Sequence, residues 1–265
     1  MSVTLKPWMH DLRDTSAPVF IGAPVGRSGT TALQRLLSTD PSIAVYAEDN
    51  TLINTAVMAA TGLRELAHRR DDHVRRRSRI RDNTWHQAVL PHPDAYMHVH
   101  LETIYGLLGL YQRDAEELGS RRWGMKRPLR SVSDLLLFKH FLPETRVIYV
   151  IRDIKDCLRS YKSYVDGRQH DLGAVAATWV RNIRDWRKYR DRCLAIDFRR
   201  LASEPESVSR EVAEYLALRL DSSPLDLQIN TASGYVPPAD LTNEELNLVR
   251  EARAAAQWHG SVEED

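Results

Sequence analysis

The sequence has few cysteines, no long apolar segment and almost no net charge. Cys157 and Cys193 stand far apart, so a secreted fold held together by disulfides is not expected. No apolar run approaches the roughly 18 residues of a membrane-spanning helix. Residues 1–16 lack the apolar segment of a secretory signal, and we expect residues 1–18 to form an extended arm. The net charge of +1 predicts no general attraction to nucleic acid or membrane. We therefore expect a soluble, cytoplasmic globular protein.

Signatures of a metal site are also missing, although histidine is concentrated in one region. Six of the ten histidines lie between His68 and His100. Their spacing matches no zinc signature, and no cysteine lies among them. We therefore expect that no metal is bound or required.

Residues 19–37 carry the strongest local signal in the chain. The apolar run Val19–Ile21 is typical of a buried strand, and Thr30–Leu37 has apolar residues at helical spacing. Between them lies a loop with glycines at 22, 26 and 29. The first N–H groups of a helix have no partner inside it and carry partial positive charge, so this arrangement suits an anion. The loop also offers a positive charge and several hydrogen-bond donors, which come from Arg27, Ser28, Gly29, Thr30 and Thr31. Together these groups indicate a phosphate-binding loop, and an ordinary turn is the alternative.

This loop differs from the loop that binds nucleoside triphosphates. Gly22 and Gly26 are separated by three residues rather than four, and Thr30 follows Gly29 where that loop has lysine. Without the lysine, the charge of a triphosphate is poorly neutralised. The loop favours a smaller anion, one phosphate carrying one further group. A P-loop nucleotide or small-molecule kinase and a non-catalytic nucleotide-binding module remain as alternatives.

A second stretch predicts another part of the same site. The continuous apolar run Val147–Ile151 indicates a parallel strand covered on both faces. Arg152 stands at its carboxyl end, where open α/β sheets bind ligands, and Ser160 lies two turns along the helix that follows.

Together the two stretches resemble the sulfotransferases that use 3′-phosphoadenosine 5′-phosphosulfate. Residues 27–31 look like the family's 5′-phosphosulfate loop, and Arg152 with Ser160 looks like its 3′-phosphate clamp. The resemblance is closest to the branch that contains tyrosylprotein sulfotransferases and bacterial relatives. That branch has a glutamate 21 positions after the loop arginine, as Glu48 is here, and a lysine 26 positions before the clamp arginine, as Lys126 is here. It covers residues 19–49 and 122–217.

Two departures from the branch accompany the resemblance. Gly26 stands where proline usually precedes the loop arginine. Residues 198–201, Phe-Arg-Arg-Leu at the expected end of the last strand, replace a Tyr-Glu-x-Leu pattern.

The resemblance implies in-line transfer of a sulfuryl group to an acceptor hydroxyl or, as a second choice, an amine. Arg27 and Lys126 are expected to stabilise the leaving phosphate, and Glu48 to accept the acceptor proton. His98 or His100 is the reserve candidate for the base. The acceptor remains open between a small metabolite, a glycan and a peptide tyrosine.

The implied fold is α/β, a central parallel sheet flanked by helices in the P-loop NTPase-like arrangement of sulfotransferases. We expect a single domain over residues 1–265, with 50–121 as a mainly helical insertion on the substrate side. Residues 222–265 are expected to form a C-terminal loop and helix, with a capping box at Thr242 and Glu245. The arginine-rich stretch 64–82 predicts a solvated helix face or a rim that attracts anions. The oligomeric state is open.

Overall fold

A computed structural model describes residues 5–48, 50–78, 92–163, 171–226, 239–260 and 262. Its centre is a five-stranded sheet in which all strand pairs are parallel and the order is β2-β3-β1-β4-β5. The strands are β1 (Val19–Ala23), β2 (Ile43–Tyr46), β3 (Arg122–Pro128), β4 (Arg146–Ile151) and β5 (Leu194–Asp197). The predicted central parallel sheet is therefore confirmed, with β1 as its middle strand.

Helices cover both faces of this sheet. They are α1 (Pro7–Thr15), α2 (Thr30–Leu37), α3 (Asn50–Ser78), α4 (Pro93–Glu117), α5 (Val132–Leu136), α6 (Ile154–Ser163), α7 (Leu172–Tyr189), α8 (Phe198–Ser203), α9 (Pro205–Leu216), α10 (Ser223–Asp226) and α11 (Asn243–Ala256). Short 3₁₀ turns follow α5 and α7, at Leu137–His140 and Arg190–Arg192. Within the described ranges, no helix combines the length and apolarity needed to cross a membrane.

The alternation of side chains along β4 divides the core into two layers. Val147, Tyr149 and Ile151 face a layer built from α4, α5, α6, α7 and α11, whereas Ile148 and Val150 face α2 and α9. All five side chains are at most 1% exposed. This explains the unbroken apolar run in the sequence, because a central parallel strand is buried on both faces.

Two sequence-based expectations are wrong. Residues 7–15 form α1 rather than an extended arm, because Met9 and Leu12 bury their side chains in the core and Pro7 suits the first turn of a helix. The last strand ends at Asp197 rather than including Phe198. The Asp197 carboxylate accepts a hydrogen bond from the Arg199 N–H at 2.9 Å, which starts a helix at that point.

Candidate active site

The loop between β1 and α2 lies at the carboxyl end of the central strand and is held from inside the protein. Asn182 Nδ2 of α7 donates to the Pro24 carbonyl at 2.7 Å. Ser28 Oγ donates to the Val25 carbonyl at 2.8 Å and lies 3.6 Å from Cys157 Sγ, with the Ser28 side chain fully buried. Because this hydroxyl is engaged within the protein, the backbone N–H of Ser28 is the group we expect to face an anion.

The start of α2 is open to a ligand. Gly29 is the N-cap residue, has a φ of 96°, and provides no side-chain hydrogen bond to the first turn. Its Cα lies against the ring of Phe198, so that a side chain at this position would collide with the ring. Arg27 also has a positive φ, of 62°. Left-handed residues interspersed in a turn direct successive N–H groups to one side, which is the geometry of an anion-binding nest.

The predicted clamp is in direct contact with this loop. Arg27 Nε donates to Ser160 Oγ at 3.2 Å, and Arg152 Nη1 donates to the Arg27 carbonyl at 2.7 Å. The two stretches therefore meet at one edge of the sheet, although more than 120 residues separate them in the chain.

Arg152 has an unused donor at this edge. Its Nε is buried and has no hydrogen-bond partner among the described residues. The guanidinium carbon lies 4.1 Å from the centre of the Phe198 ring, and burial lowers the pKa of the group from its usual value. Trp179 Nε1 donates to the Arg152 carbonyl at 3.0 Å and fixes the backbone there. A buried cation with a spare donor is stabilised by an anionic ligand, so this environment fits a phosphate.

Glu48 and Lys126 form a pair next to the loop. Lys126 Nζ lies 3.3 Å from Glu48 Oε1 and donates to Thr31 Oγ1 at 3.2 Å. Lys126 is aligned with Ile21 of β1 near the end of β3, and Glu48 comes two residues after β2. The Lys126 side chain is 14% exposed and that of Glu48 is 40% exposed, so both can reach a ligand at the rim of the sheet.

The family follows from a comparison with known proteins. A family model described as "Sulfotransferase family" matches residues 18–222, which contain the loop, the pair and the clamp. The chain belongs to the sulfotransferase family. No curated protein matches it significantly.

Solved sulfotransferase structures resemble this chain at low sequence identity. The sulfotransferase domain of the Synechococcus PCC 7002 olefin synthase is 14% identical, with a TM-score of 0.50 over 89% of this chain and 94% of that one. Sulfotransferase STF1 from Mycobacterium tuberculosis H37Rv is 17% identical, with a TM-score of 0.48 over 94% of this chain and 78% of that one. The likeness to the olefin synthase domain, at 14% identity, supports the sulfotransferase fold alone. Membership of the tyrosylprotein branch stays a prediction.

The reserve base candidates of this sulfotransferase have other neighbours. His98 Nε2 lies 3.1 Å from a carboxylate oxygen of Glu102, which also pairs with Lys6 of the N-terminal segment. His100 packs against Gly62 of α3 and the ring of Tyr96. These contacts join α4 to the segment just before α1 and to α3, whereas Glu48 contacts Lys126. The part of the chain that the structure describes contains no group of three or more histidine, cysteine or acidic residues that could hold a metal ion.

Sequence reasoning missed two side chains of the site. Phe198 lies under Gly29 and Arg152, and its only sequence signal was its place in the altered Tyr-Glu-x-Leu pattern. Asp153 caps the start of α6 by accepting the Lys155 N–H at 2.9 Å. It also accepts hydrogen bonds from the Arg253 guanidinium and from Trp258 Nε1, and so joins the clamp turn to the end of α11.

Proposed function

We propose that this sulfotransferase transfers the sulfuryl group of 3′-phosphoadenosine 5′-phosphosulfate to an acceptor hydroxyl. The observation that carries the proposal is the meeting of three groups at one edge of the sheet. These are the open N-terminus of α2, the clamp arginine with its spare buried donor, and the Lys126–Glu48 pair. They provide two anion-binding positions with a carboxylate beside one of them.

The donor's two ends would be held by different residues. The first N–H groups of α2 at Gly29, Thr30 and Thr31, with the Arg27 side chain, would bind the 5′-phosphosulfate. Arg152 and Ser160 would bind the 3′-phosphate, and the unpartnered Arg152 Nε supports this assignment. The positive charge needed at the 5′ end is available from Arg27 and Lys126, so we propose that no metal is required.

The chemistry needs positioned charges and one base. The donor supplies an activated sulfuryl group; the bond from sulfur to the 5′-phosphate oxygen breaks as the bond to the acceptor oxygen forms. Lys126 and Arg27 would stabilise the negative charge that develops on the leaving phosphate. Glu48 would take the acceptor proton, a role that suits a partly exposed carboxylate at the rim of the site. In the free protein Lys126 neutralises Glu48, which keeps both side chains oriented toward the site.

We also propose roles for the two segments that flank this site, residues 50–121 and 222–265. Helices α3 and α4, within residues 50–121, leave the sheet next to Glu48 and are proposed to carry the acceptor. Residues 222–265 are proposed to form a separate C-terminal part of the single domain, in which α11 packs against α6 and α7. The cytoplasmic setting stays a prediction. The acceptor stays open among a small metabolite, a glycan and a peptide tyrosine.

The function is tested by nucleotide binding followed by turnover. Calorimetry should show binding of adenosine 3′,5′-bisphosphate without magnesium, and no binding of ATP with or without it. A panel of phenols, sugars and tyrosine peptides is then incubated with ³⁵S-labelled donor, with Glu48→Gln as the inactive control. ATP binding that depends on magnesium would favour a kinase, and donor binding without transfer to any acceptor class would favour a binding module.

A further inference from the structure

Position 26 of the anion loop is a glycine for a steric reason rather than a conformational one. A Cβ atom built on Gly26 would lie 2.5 Å from the hydroxyl oxygen of Tyr161 and 3.3 Å from its Cζ. Gly26 is not among the described glycines with a positive φ, so its backbone conformation is open to other residues. The space for a side chain is taken by the Tyr161 hydroxyl.

Tyr161 is held rigidly in this position. It belongs to α6, directly after the clamp residue Ser160, and its side chain packs in the core beneath the loop with 9% exposure. The hydroxyl lies against Gly26 of the loop, and burial raises the pKa of Tyr161 to about 12. The hydroxyl is therefore protonated at neutral pH. Because the ring is packed on its sides, it has little room to move away from a new group at position 26.

The residue after Gly26 explains why the loop needs such a support. Arg27 adopts a left-handed conformation, which is unfavourable for a residue with a side chain. Contacts on both sides of it can hold that conformation: Arg152 donates to the Arg27 carbonyl, and the Tyr161 hydroxyl packs against Gly26 just before it.

We propose that Tyr161 is a positioning residue, whose hydroxyl replaces a side chain at position 26 and fixes Arg27 for the 5′ end of the donor. This inference rests on the proposed function, since it assigns the loop to a 5′-phosphate group. It also accounts for the departure at this position, where the related branch usually has proline. A proline ring at this position would overlap the Tyr161 hydroxyl.

The first test removes the hydroxyl and measures three nucleotides. Tyr161→Phe should weaken binding of adenosine 3′,5′-bisphosphate and adenosine 5′-phosphate about three- to tenfold, as expected when one polar contact that supports the loop is lost. Binding of adenosine 3′-phosphate, which would contact the clamp and reach the loop only through Arg152, should weaken by a clearly smaller factor. Tyr215→Phe is the matched control, because it removes a hydroxyl that donates to the Val147 carbonyl at 3.3 Å, away from the loop. Equal losses for all three nucleotides would show a general structural effect and overturn the proposal.

The second test uses Gly26 and Tyr161 as a steric pair and measures whether a change at Tyr161 restores the nucleotide binding that is lost on substitution of Gly26. Gly26→Ala should weaken bisphosphate binding about tenfold or more, because the new methyl group overlaps the Tyr161 hydroxyl. In the double variant Gly26→Ala/Tyr161→Phe, the nearest atom would be Cζ at 3.3 Å, so binding should be tighter than in Gly26→Ala alone. Gly106→Ala on α4 is the control for the glycine substitution, since no atom lies within 4 Å of its built Cβ. A double variant no better than Gly26→Ala would refute the pairing.

The same variants separate this inference from the proposed function. If the wild-type protein binds no adenosine bisphosphate, the proposed function fails. The steric pair is then tested by thermal unfolding of the free protein. Gly26→Ala should lower the Tm, and adding Tyr161→Phe to that variant should restore part of the loss. An unchanged Tm for Gly26→Ala, together with unchanged nucleotide binding where it is measurable, contradicts the inference alone.

Discussion

Replacing Glu48 by glutamine separates catalysis from donor binding. The substitution keeps the shape of the side chain and removes the charge and the proton-accepting carboxylate. A positioned general base contributes about 10²–10⁴ in rate, so kcat should fall at least about 100-fold. The Glu48 carboxylate is only 3.3 Å from Lys126 Nζ, so the substitution also frees the lysine from its ion pair.

The release of Lys126 from its ion pair predicts the direction in which the affinity for the donor changes. Glu48 is 40% exposed, and an exposed ion pair of this kind is worth about 0.2–1 kcal/mol. Lys126 no longer has to leave that pair to meet an anionic donor, so affinity for adenosine 3′,5′-bisphosphate should stay the same or rise up to about fivefold. A large loss of kcat without a loss of nucleotide affinity is the expected signature.

Single-turnover kinetics and calorimetry on the same preparation measure both quantities. Glu102→Gln is a matched control, because Glu102 is also a partly exposed glutamate, at 37%, paired with a lysine. It also contacts His98, so its substitution disturbs the reserve base. A near-wild-type rate for Glu48→Gln, or a larger loss for Glu102→Gln, would refute the assignment of Glu48.

Three further outcomes test other parts of the structure. Arg152→Ala should weaken binding of adenosine 3′,5′-bisphosphate about 10- to 150-fold in calorimetry, with a reduced preference for the 3′-phosphate; full discrimination in the variant would contradict the clamp. Cys157 should resist iodoacetamide at pH 8 in the folded protein, because it is fully buried and burial raises the pKa of its thiol to about 12. Mass spectrometry follows the labelling, and labelling at the rate of the unfolded chain would contradict this expectation. Thr242→Ala removes the hydroxyl that accepts a hydrogen bond from the Glu245 N–H at 3.3 Å. It should lower the free energy of unfolding by about 1 kcal/mol in a denaturant titration. An unchanged midpoint would show that the cap contributes nothing to stability.

The features that the sequence predicted well depend on residues close together in the chain. A run of apolar residues such as Val147–Ile151 indicates a strand buried on both faces, whatever its neighbours are. The capping box at Thr242 is likewise a local pattern, and it is present at the start of α11. For Glu48 and Lys126, family spacing pointed to one site; their contact agrees with that expectation, while their roles stay predictions.

The features that the sequence did not reveal depend on contacts between distant segments. The Ser28 hydroxyl could face a ligand or the protein, and only the positions of Val25 and Cys157 show that it is engaged inside. Similarly, α1 forms because α4 and the sheet offer an apolar surface to Met9 and Leu12, which no local pattern announces. Gly26 is informative only beside Tyr161, which lies 135 positions later in the chain.

Contacts between the loop and the clamp make the two anion positions one unit. Arg152 uses Nη1 to hold the Arg27 carbonyl and has its buried Nε available for a ligand. A phosphate bound at Nε would draw the guanidinium into a defined place and, through Nη1, stabilise the left-handed conformation of Arg27. The loop would then be ordered for the 5′ end before that end binds, which lowers the entropy cost of the second contact. Such coupling requires a planar group with several donors at position 152, and lysine, with one compact ammonium group, does not supply it.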